Sequence, residues 1–141
     1  MDEVLLGKAA IIERCLKRIG EMYPGHEQDL ASDFMRQDAV LLNLQRACEA
    51  AIDAAMHLVR IRRLGIPTDS RQAFTLLTNA SVISAELGRH LAGMVGFRNV
   101  LVHNYRELDI NVVRSILDHR LEDLSSFAQR LIALALPEQG P

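Results

Sequence analysis

The sequence predicts an all-α protein, an up-and-down bundle of four main helices plus a short helix in a single domain. Apolar residues recur at steps of three and four through most of the chain, which is the period of an amphipathic helix. Nearly half the residues are hydrophobic, but only 4% are aromatic and none is Trp, which favours packed helices over a β-sandwich. A chain of 141 residues suffices for one domain with a core and is too short for two ordinary ones. We expect the domain to span residues 1–136 and residues 137–141 to form a frayed tail.

The first two helices follow from this periodicity. One is predicted from about Asp2 to Tyr23, where Pro24 and Gly25 close it. The second is predicted to run from Ser32, or slightly later, to Leu64, with a stop at Gly65-Ile66-Pro67. Their apolar faces consist of Leu5, Ala9, Ile12, Leu16 and Ile19 in the first helix, and Val40, Leu44, Ala47, Ala51, Ala55 and Leu58 in the second.

The remaining helices each begin at a side chain suited to cap a helix N-terminus. The short helix carries Phe74 and Leu77, and a longer one runs on through Leu101. A single final helix is expected to extend to Ala135, because Pro137 cannot continue it. The predicted caps are Asp69 or Ser70 for the short helix, Ser84 for the next and Asp109 for the last.

Three glycines in the helix that starts at Ser84 are unusual, since each costs up to about 1 kcal/mol relative to Ala in a helix interior. They are Gly88, Gly93 and Gly96. Close packing of another backbone is one reason to keep them. A bend at Gly96 is an equally weighted one.

Charge and cysteine content restrict the function. Sixteen basic residues against 18 acidic ones give a net charge of −2, so any RNA contact must be local rather than a broad basic surface. Cys15 and Cys48 lie in apolar segments without metal-ligand spacing, which predicts buried thiols in a reducing compartment. No apolar run is long enough to span a bilayer, and Asp2-Glu3 replaces the basic start of a secretory signal. We therefore expect a cytoplasmic protein.

The most informative stretch is residues 97–105, with the sequence FRNVLVHNY. Arg98 offers a fork of donors suited to phosphate oxygens, His103 can give or take a proton near neutral pH, and Tyr105 carries a hydroxyl that can be bonded or modified. Five residues of α-helix turn Arg98 and His103 about 140° apart, so one straight helix would not aim both at one point. Either the helix ends here or a second chain completes the site.

Plainer interpretations remain open from the residues alone. Arg98, His103 and Tyr105 could be a surface Arg, a helix-terminal His and a half-buried Tyr. Asp53 and His57 have the four-residue spacing of metal ligands, but no second carboxylate–histidine pair complements them. Other residues are better explained as solvated: the RNA-contact candidates Arg60, Arg62 and Arg63 at a helix C-terminus, and the surface histidines His26, His90 and His119.

Residues 98–105 form an Arg-x4-His-x-Tyr pattern preceded by Met94-Val95-Gly96-Phe97. This pattern resembles the signature of the HepT-like toxins, small helical ribonucleases of the HEPN superfamily. Residues 43–53 and 64–68 are similar to the second helix of that family and the turn after it. Roughly residues 1–135 fit the family pattern, and no motif position departs from it.

The resemblance implies an endoribonuclease toxin that needs no metal or other cofactor and acts as a homodimer on tRNA or mRNA. It implies a nucleotidyltransferase antitoxin as partner, bound to the dimer or in a larger hetero-oligomer. His103 is then the general acid/base, Arg98 the phosphate clamp, Asn99 a supporting donor and Tyr105 the acceptor of AMP. The alternatives are a non-catalytic helical binding partner of the nucleotidyltransferase and a purely structural dimerisation bundle.

Overall fold

The computed structural model describes residues 1–137 and confirms the all-α prediction. That part of the chain contains six α-helices, two 3₁₀ turns and no strand. None of these helices is long and apolar enough to cross a membrane. Of the predicted tail, residues 138–141 lie outside the described residues. The helices are α1 (Glu3–Met22), α2 (Phe34–Ile61), α3 (Ser70–Asn79), α4 (Ala85–His103), α5 (Ile110–His119) and α6 (Leu121–Ala135).

Helix α2 is the centre of the bundle and packs against α1, α3, α4 and α6. Small buried residues along it, among them Ala47, Ala51 and Ala55, let four neighbours approach closely. Phe74 of α3 meets Phe127 of α6 edge to face, with ring centroids 5.8 Å apart. Both cysteines are buried free thiols, as predicted. The core therefore forms around α2, and every other long helix is positioned by it.

The helix starts agree with the predicted caps. Asp69, Ser84 and Asp109 each accept a backbone N–H from the first turn of α3, α4 and α5. Asp2 and Asp33 do the same for α1 and α2. A cap of this kind stabilises a helix by about 1 kcal/mol.

Helix α2 ends at Ile61, three residues before the predicted end at Leu64. Arg63, two residues before the predicted stop at Gly65, adopts the left-handed conformation with φ 54°. The N–H of Leu64 then donates to the carbonyl of Val59 at 3.0 Å, which closes the helix. Gly65 also has a positive φ, so the chain turns over several residues rather than at one glycine.

The prediction of one final helix is wrong, because α5 and α6 are separate. The break lies at Arg120, with φ −120° and ψ −5°. The N–H of Arg120 still donates to the carbonyl of Ile116, and its guanidinium lies 3.3 Å from His90 Nε2 on α4. No proline or glycine marks the break. The bundle thus has four long helices, as predicted, and two short ones instead of one.

Gly88 and Gly96 of α4 make room for side chains of α3, and α4 stays helical through all three glycines. A Cβ at Gly88 would collide with Thr78, and one at Gly96 would collide with the end of Arg71. A Cβ at Gly93 would meet nothing within 4 Å. The close neighbours of Gly88 and Gly96 are thus side chains, so the interpretation as close packing of another backbone is wrong.

We expect Gly88→Ala to lower the free energy of unfolding by about 1–3 kcal/mol, because the new methyl overpacks against the stiff side chain of Thr78. Gly93→Ala is the matched control, and it should raise stability by up to about 1 kcal/mol through helix propensity. Urea denaturation of both variants measures the difference. Recovery of stability in the Gly88→Ala, Thr78→Ala double variant would identify the collision as the cause, whereas two equally stable single variants would contradict it.

Candidate active site

Helix α4 carries the two central side chains of the site. It remains helical up to His103, its last residue, and the N–H of Asn104 bonds to the carbonyl of Val100 at 2.9 Å. Arg98 and His103 therefore stay about 140° apart around the helix axis. The described chain does not bring their side chains to one point.

Arg98 points towards α2 and is partly buried. Its positive charge acts on the thiol of Cys48, whose pKa is nevertheless raised because burial dominates. The Nε atom of Arg98 is buried without a hydrogen-bond partner, and no carboxylate in residues 1–137 forms an ion pair with the guanidinium. Arg98 is thus a held cation whose charge is not neutralised within the described chain.

His103 and Asn99 lie four residues apart on another side of α4, so they share one face. Both are exposed. Neither side chain forms a hydrogen bond to another residue in the range 1–137. The imidazole and the amide are therefore accessible to a bound molecule, which general acid/base chemistry requires.

Tyr105 follows directly, at the start of the 3₁₀ turn Tyr105–Glu107. Its hydroxyl donates to Asp38 Oδ1 of α2 at 3.0 Å. Partial burial, and secondarily the Asp38 carboxylate, raises the pKa of the phenol, so it is a protonated donor at neutral pH. Asp38 could not be recognised from the sequence, because 67 residues separate it from Tyr105 and no local pattern marks it.

The other tyrosine is in a different environment. Tyr23 is only 5% exposed, whereas Tyr105 is 46% exposed. The Tyr23 hydroxyl donates to Asp118 at 2.7 Å. Burial, and then that hydrogen bond, raises the pKa of Tyr23 to about 12. Tyr105 is thus the accessible phenol of the chain.

The residues of the metal alternative are engaged elsewhere. Asp53 pairs with Lys8 at 3.2 Å, and His57 Nε2 lies 2.8 Å from Asp2. The hydrogen bond with His57 is the main reason that the pKa of Asp2 is lowered. No group of three or more potential metal ligands occurs among the residues that the structure describes.

A cavity of about 710 Å³ lies beside Asp53 and His57, towards the C-terminal end of α2. Arg60 and Arg63 also line it, and the Arg60 guanidinium lies 3.1 Å from His57 Nδ1. The end of α2 that contacts Tyr105 is the opposite one. These arginines therefore do not join the site on α4.

Two of the remaining histidines have partners that the sequence analysis could not name. His90 Nδ1 lies 3.2 Å from Asp123 Oδ1 of α6, and His26 Nδ1 lies 3.4 Å from Asp29. Both contacts are explained as links within the fold. His103 remains the histidine whose imidazole is open to solvent beside other functional groups.

Together, the end of α4 and the turn after it present a guanidinium without an ion-pair partner in the described chain, an exposed imidazole and an exposed phenol. This set can bind a phosphodiester and move a proton, which suits phosphoryl chemistry on a nucleic acid. Arg98 and His103 point to different sides of α4, about 140° apart around its axis.

Comparison with known proteins assigns the chain to a family. The Ribonuclease HepT-like family model matches residues 12–131. The mRNA nuclease HepT of Shewanella oneidensis is 46% identical over 127 residues, covering 90% of this chain and 95% of that protein. The tRNA nuclease HepT of Aphanizomenon flos-aquae is 28% identical over 103 residues, covering 73% and 70%.

A solved structure agrees with this assignment. The tri-AMPylated HEPN toxin of Shewanella oneidensis, in complex with its MNT antitoxin, superposes with a TM-score of 0.88 at 44% identity. The match covers 94% of this chain and 99% of that one. The chain therefore belongs to the HepT-like ribonuclease family.

Proposed function

We propose that this protein is an endoribonuclease toxin, neutralised when a nucleotidyltransferase antitoxin transfers AMP to Tyr105. The observation that carries the proposal is the grouping of Arg98, exposed His103 and exposed Tyr105 at the end of α4 in a HepT-like chain. The similar proteins named as an mRNA nuclease and a tRNA nuclease support RNA as the substrate class. Its RNA substrate and its ATP-using partner make the cytoplasm its place of action.

Cleavage requires the ribose 2′-hydroxyl to attack the adjacent phosphorus. The new 2′-oxygen–phosphorus bond replaces the bond to the 5′-oxygen of the next nucleotide, and a cyclic phosphate remains. His103 moves the protons at these oxygens. Arg98 stabilises the charge that develops on the phosphate, with Asn99 as a supporting donor. The chain's own groups supply these roles, so the reaction proceeds without a metal ion.

The active unit is a homodimer in which Arg98 of one protomer faces His103 of the other. The different directions of Arg98 and His103 are one argument for this homodimer, and a group of exposed apolar residues is a second one. Leu42 lies one turn after Asp38 on α2, and Val102 immediately precedes His103 on α4. Phe34 and Met35 are largely exposed one turn before Asp38. A second copy of the chain would bury this surface and close both sites.

The antitoxin controls the ribonuclease by modifying Tyr105, which is accessible. Its phenol oxygen attacks the α-phosphorus of ATP, pyrophosphate leaves, and the proton is lost to solvent or to a base of the antitoxin. The product has no proton to donate to Asp38, and its phosphodiester is an anion beside that carboxylate. Repulsion therefore moves AMP away from Asp38, where it adds bulk and negative charge in front of the catalytic groups.

We expect His103→Ala to lower cleavage of single-stranded RNA at least about 100-fold, since general acid/base catalysis typically contributes that much. Arg98→Lys should also fail, because a point charge does not replace a bidentate fork. Circular dichroism should show intact folding of both.

Cleavage by the wild-type chain should persist in EDTA. Loss of cleavage in EDTA that only an added divalent metal restores would refute the metal-free mechanism. RNA binding without cleavage would favour the binding-module alternative.

A mixing experiment tests the shared site. Arg98→Gln and His103→Gln chains are each inactive in our proposal, but a mixed dimer regains one complete site from the two unaltered residues. After subunit exchange of equal amounts, about a quarter of wild-type activity should return in a two-fold dimer. No recovery, with mixed dimers demonstrated by mass spectrometry, would place both residues in one chain's site.

Incubation with a cognate nucleotidyltransferase and ATP should raise the mass of the chain by one or more AMP units on Tyr105. Tyr23 is the internal control, because its phenol is buried against Asp118. The modified protein should lose cleavage. Tyr105→Phe should resist modification. If the Tyr105 hydroxyl serves only as the attachment point for AMP, this variant cleaves RNA at the wild-type rate. If the hydroxyl also contacts the reacting phosphate, the variant cleaves more slowly. Modification of Tyr23 alone, or full cleavage by a chain modified at Tyr105, would contradict the proposal.

A further inference from the structure

Arg71 lies across the position where Gly96 lacks a side chain. Helix α3 runs antiparallel to α4, with Thr78 opposite Gly88 and Arg71 opposite Gly96. A Cβ at Gly96 would collide with the Nη2 atom of Arg71, so the guanidinium occupies the space that the glycine leaves. The glycine thereby lets a cation from one helix rest on the surface of another.

The Arg71 guanidinium is not neutralised by the fold. It is exposed, and it forms no ion pair or hydrogen bond with residues 1–137. By contrast, the guanidinium groups of Arg36 and Arg130 donate to the main-chain carbonyls of Met22 and Val82. The N–H donors of Arg71 are therefore not used by the described chain.

The position of Gly96 places this cation on the His103 side of α4. Seven residues turn an α-helix to within about 20° of two full turns, so Gly96 and His103 lie on one face, roughly 10 Å apart. Gly96 and Arg98 are about 160° apart, on opposite sides. Arg71 thus supplies positive charge on the face from which Arg98 of the same chain points away.

We propose that Arg71, seated on Gly96, is a phosphate-binding subsite for the RNA strand next to the cleaved bond. A phosphodiester that flanks the scissile one and follows α4 from His103 would meet this guanidinium. The inference rests on the proposed ribonuclease activity and specifies how its substrate is held. Arg71 lies too far from His103 to touch the reacting atoms, so it acts in binding rather than in the chemical step.

The net charge makes such a local cation consequential. At −2 overall, the chain attracts RNA only where unpaired cations face it. Arg18 provides a comparison, because it is exposed on α1 and forms no ion pair within residues 1–137. It lines a different groove, between α1 and α2. Removing either residue changes the net charge equally, but only Arg71 lies beside the proposed path.

The test uses the full-length protein and a labelled single-stranded RNA oligonucleotide, with KM and kcat measured at several salt concentrations. Arg71→Gln should raise KM about tenfold and leave kcat within about twofold, since one charge-assisted phosphate contact is lost. The plot of log affinity against log salt concentration has a negative slope. Its magnitude should decrease by about 0.7, the value for one phosphate contact of a single strand. Arg18→Gln should change neither KM nor the slope.

Gly96→Ala separates position from charge. It keeps the net charge and displaces the end of Arg71, so KM should rise while a thermal melt shows an intact fold. Gly93→Ala, which meets open space, is its control. An unchanged KM in both Arg71→Gln and Gly96→Ala, or a loss of kcat alone, would overturn the subsite.

A wild-type chain that cleaves no RNA would reject the proposed function instead. Fluorescence anisotropy with the same oligonucleotide then decides the subsite separately. Weaker RNA binding by Arg71→Gln than by Arg18→Gln would support it, and equal binding would overturn it.

Discussion

The unbroken course of α4 from Ala85 to His103 is the constraint on which the site depends. A helix does not let two side chains five residues apart face the same point. Arg98 is therefore held towards Cys48 and α2, while His103 remains at the solvent-facing end. This separation gives the two groups different environments. The Arg98 guanidinium is held in place by packed residues, whereas the His103 imidazole can exchange protons with solvent. In the proposed homodimer, the partner chain therefore supplies the group that each site lacks.

Packing around α4 explains why the helix tolerates residues that weaken helices. Gly88 and Gly96 each cost up to about 1 kcal/mol of helix propensity. In return, α3 lies close enough for Thr78 and Arg71 to fill the vacated positions. The buried alanines of α2 serve the neighbouring contacts in the same way. Small residues thus set the distances between helices, and those distances decide which polar side chains reach the His103 face.

The sequence predicted best what is decided locally. Helix starts depend on one side chain bonding to the next turn, and Asp69, Ser84 and Asp109 could be identified as caps without knowledge of the fold. The break at Arg120 could not be, since the apolar spacing continues through it and tertiary contact with His90 helps hold the turn. The end of α2 could not be placed from the sequence either, because Arg63 rather than a glycine takes the left-handed conformation there.

Within the candidate site, the sequence pointed to groups carried by one stretch of the chain and gave no sign of partners from other helices. One contiguous stretch carries Arg98, Asn99, His103 and Tyr105, so their spacing can be seen directly in the sequence. Asp38 reaches Tyr105 only because α2 and α4 are antiparallel. No periodicity within either helix encodes that register, which is set by the packing of the bundle.

The exposure of Tyr105 connects catalysis with its control. In the proposed function, RNA must reach His103, so the surface around the end of α4 stays open. A phenol two residues away is then open to a modifying enzyme as well. Tyr23 shows the alternative, since burial and a bond to Asp118 withdraw its hydroxyl from solvent. Tyr105 makes a similar hydrogen bond to Asp38 but keeps nearly half of its surface exposed. Converting this neutral donor into a phosphodiester reverses its interaction with Asp38 from attraction to repulsion. In the proposed function, the same exposed surface admits the RNA and allows one covalent change on Tyr105 to exclude it.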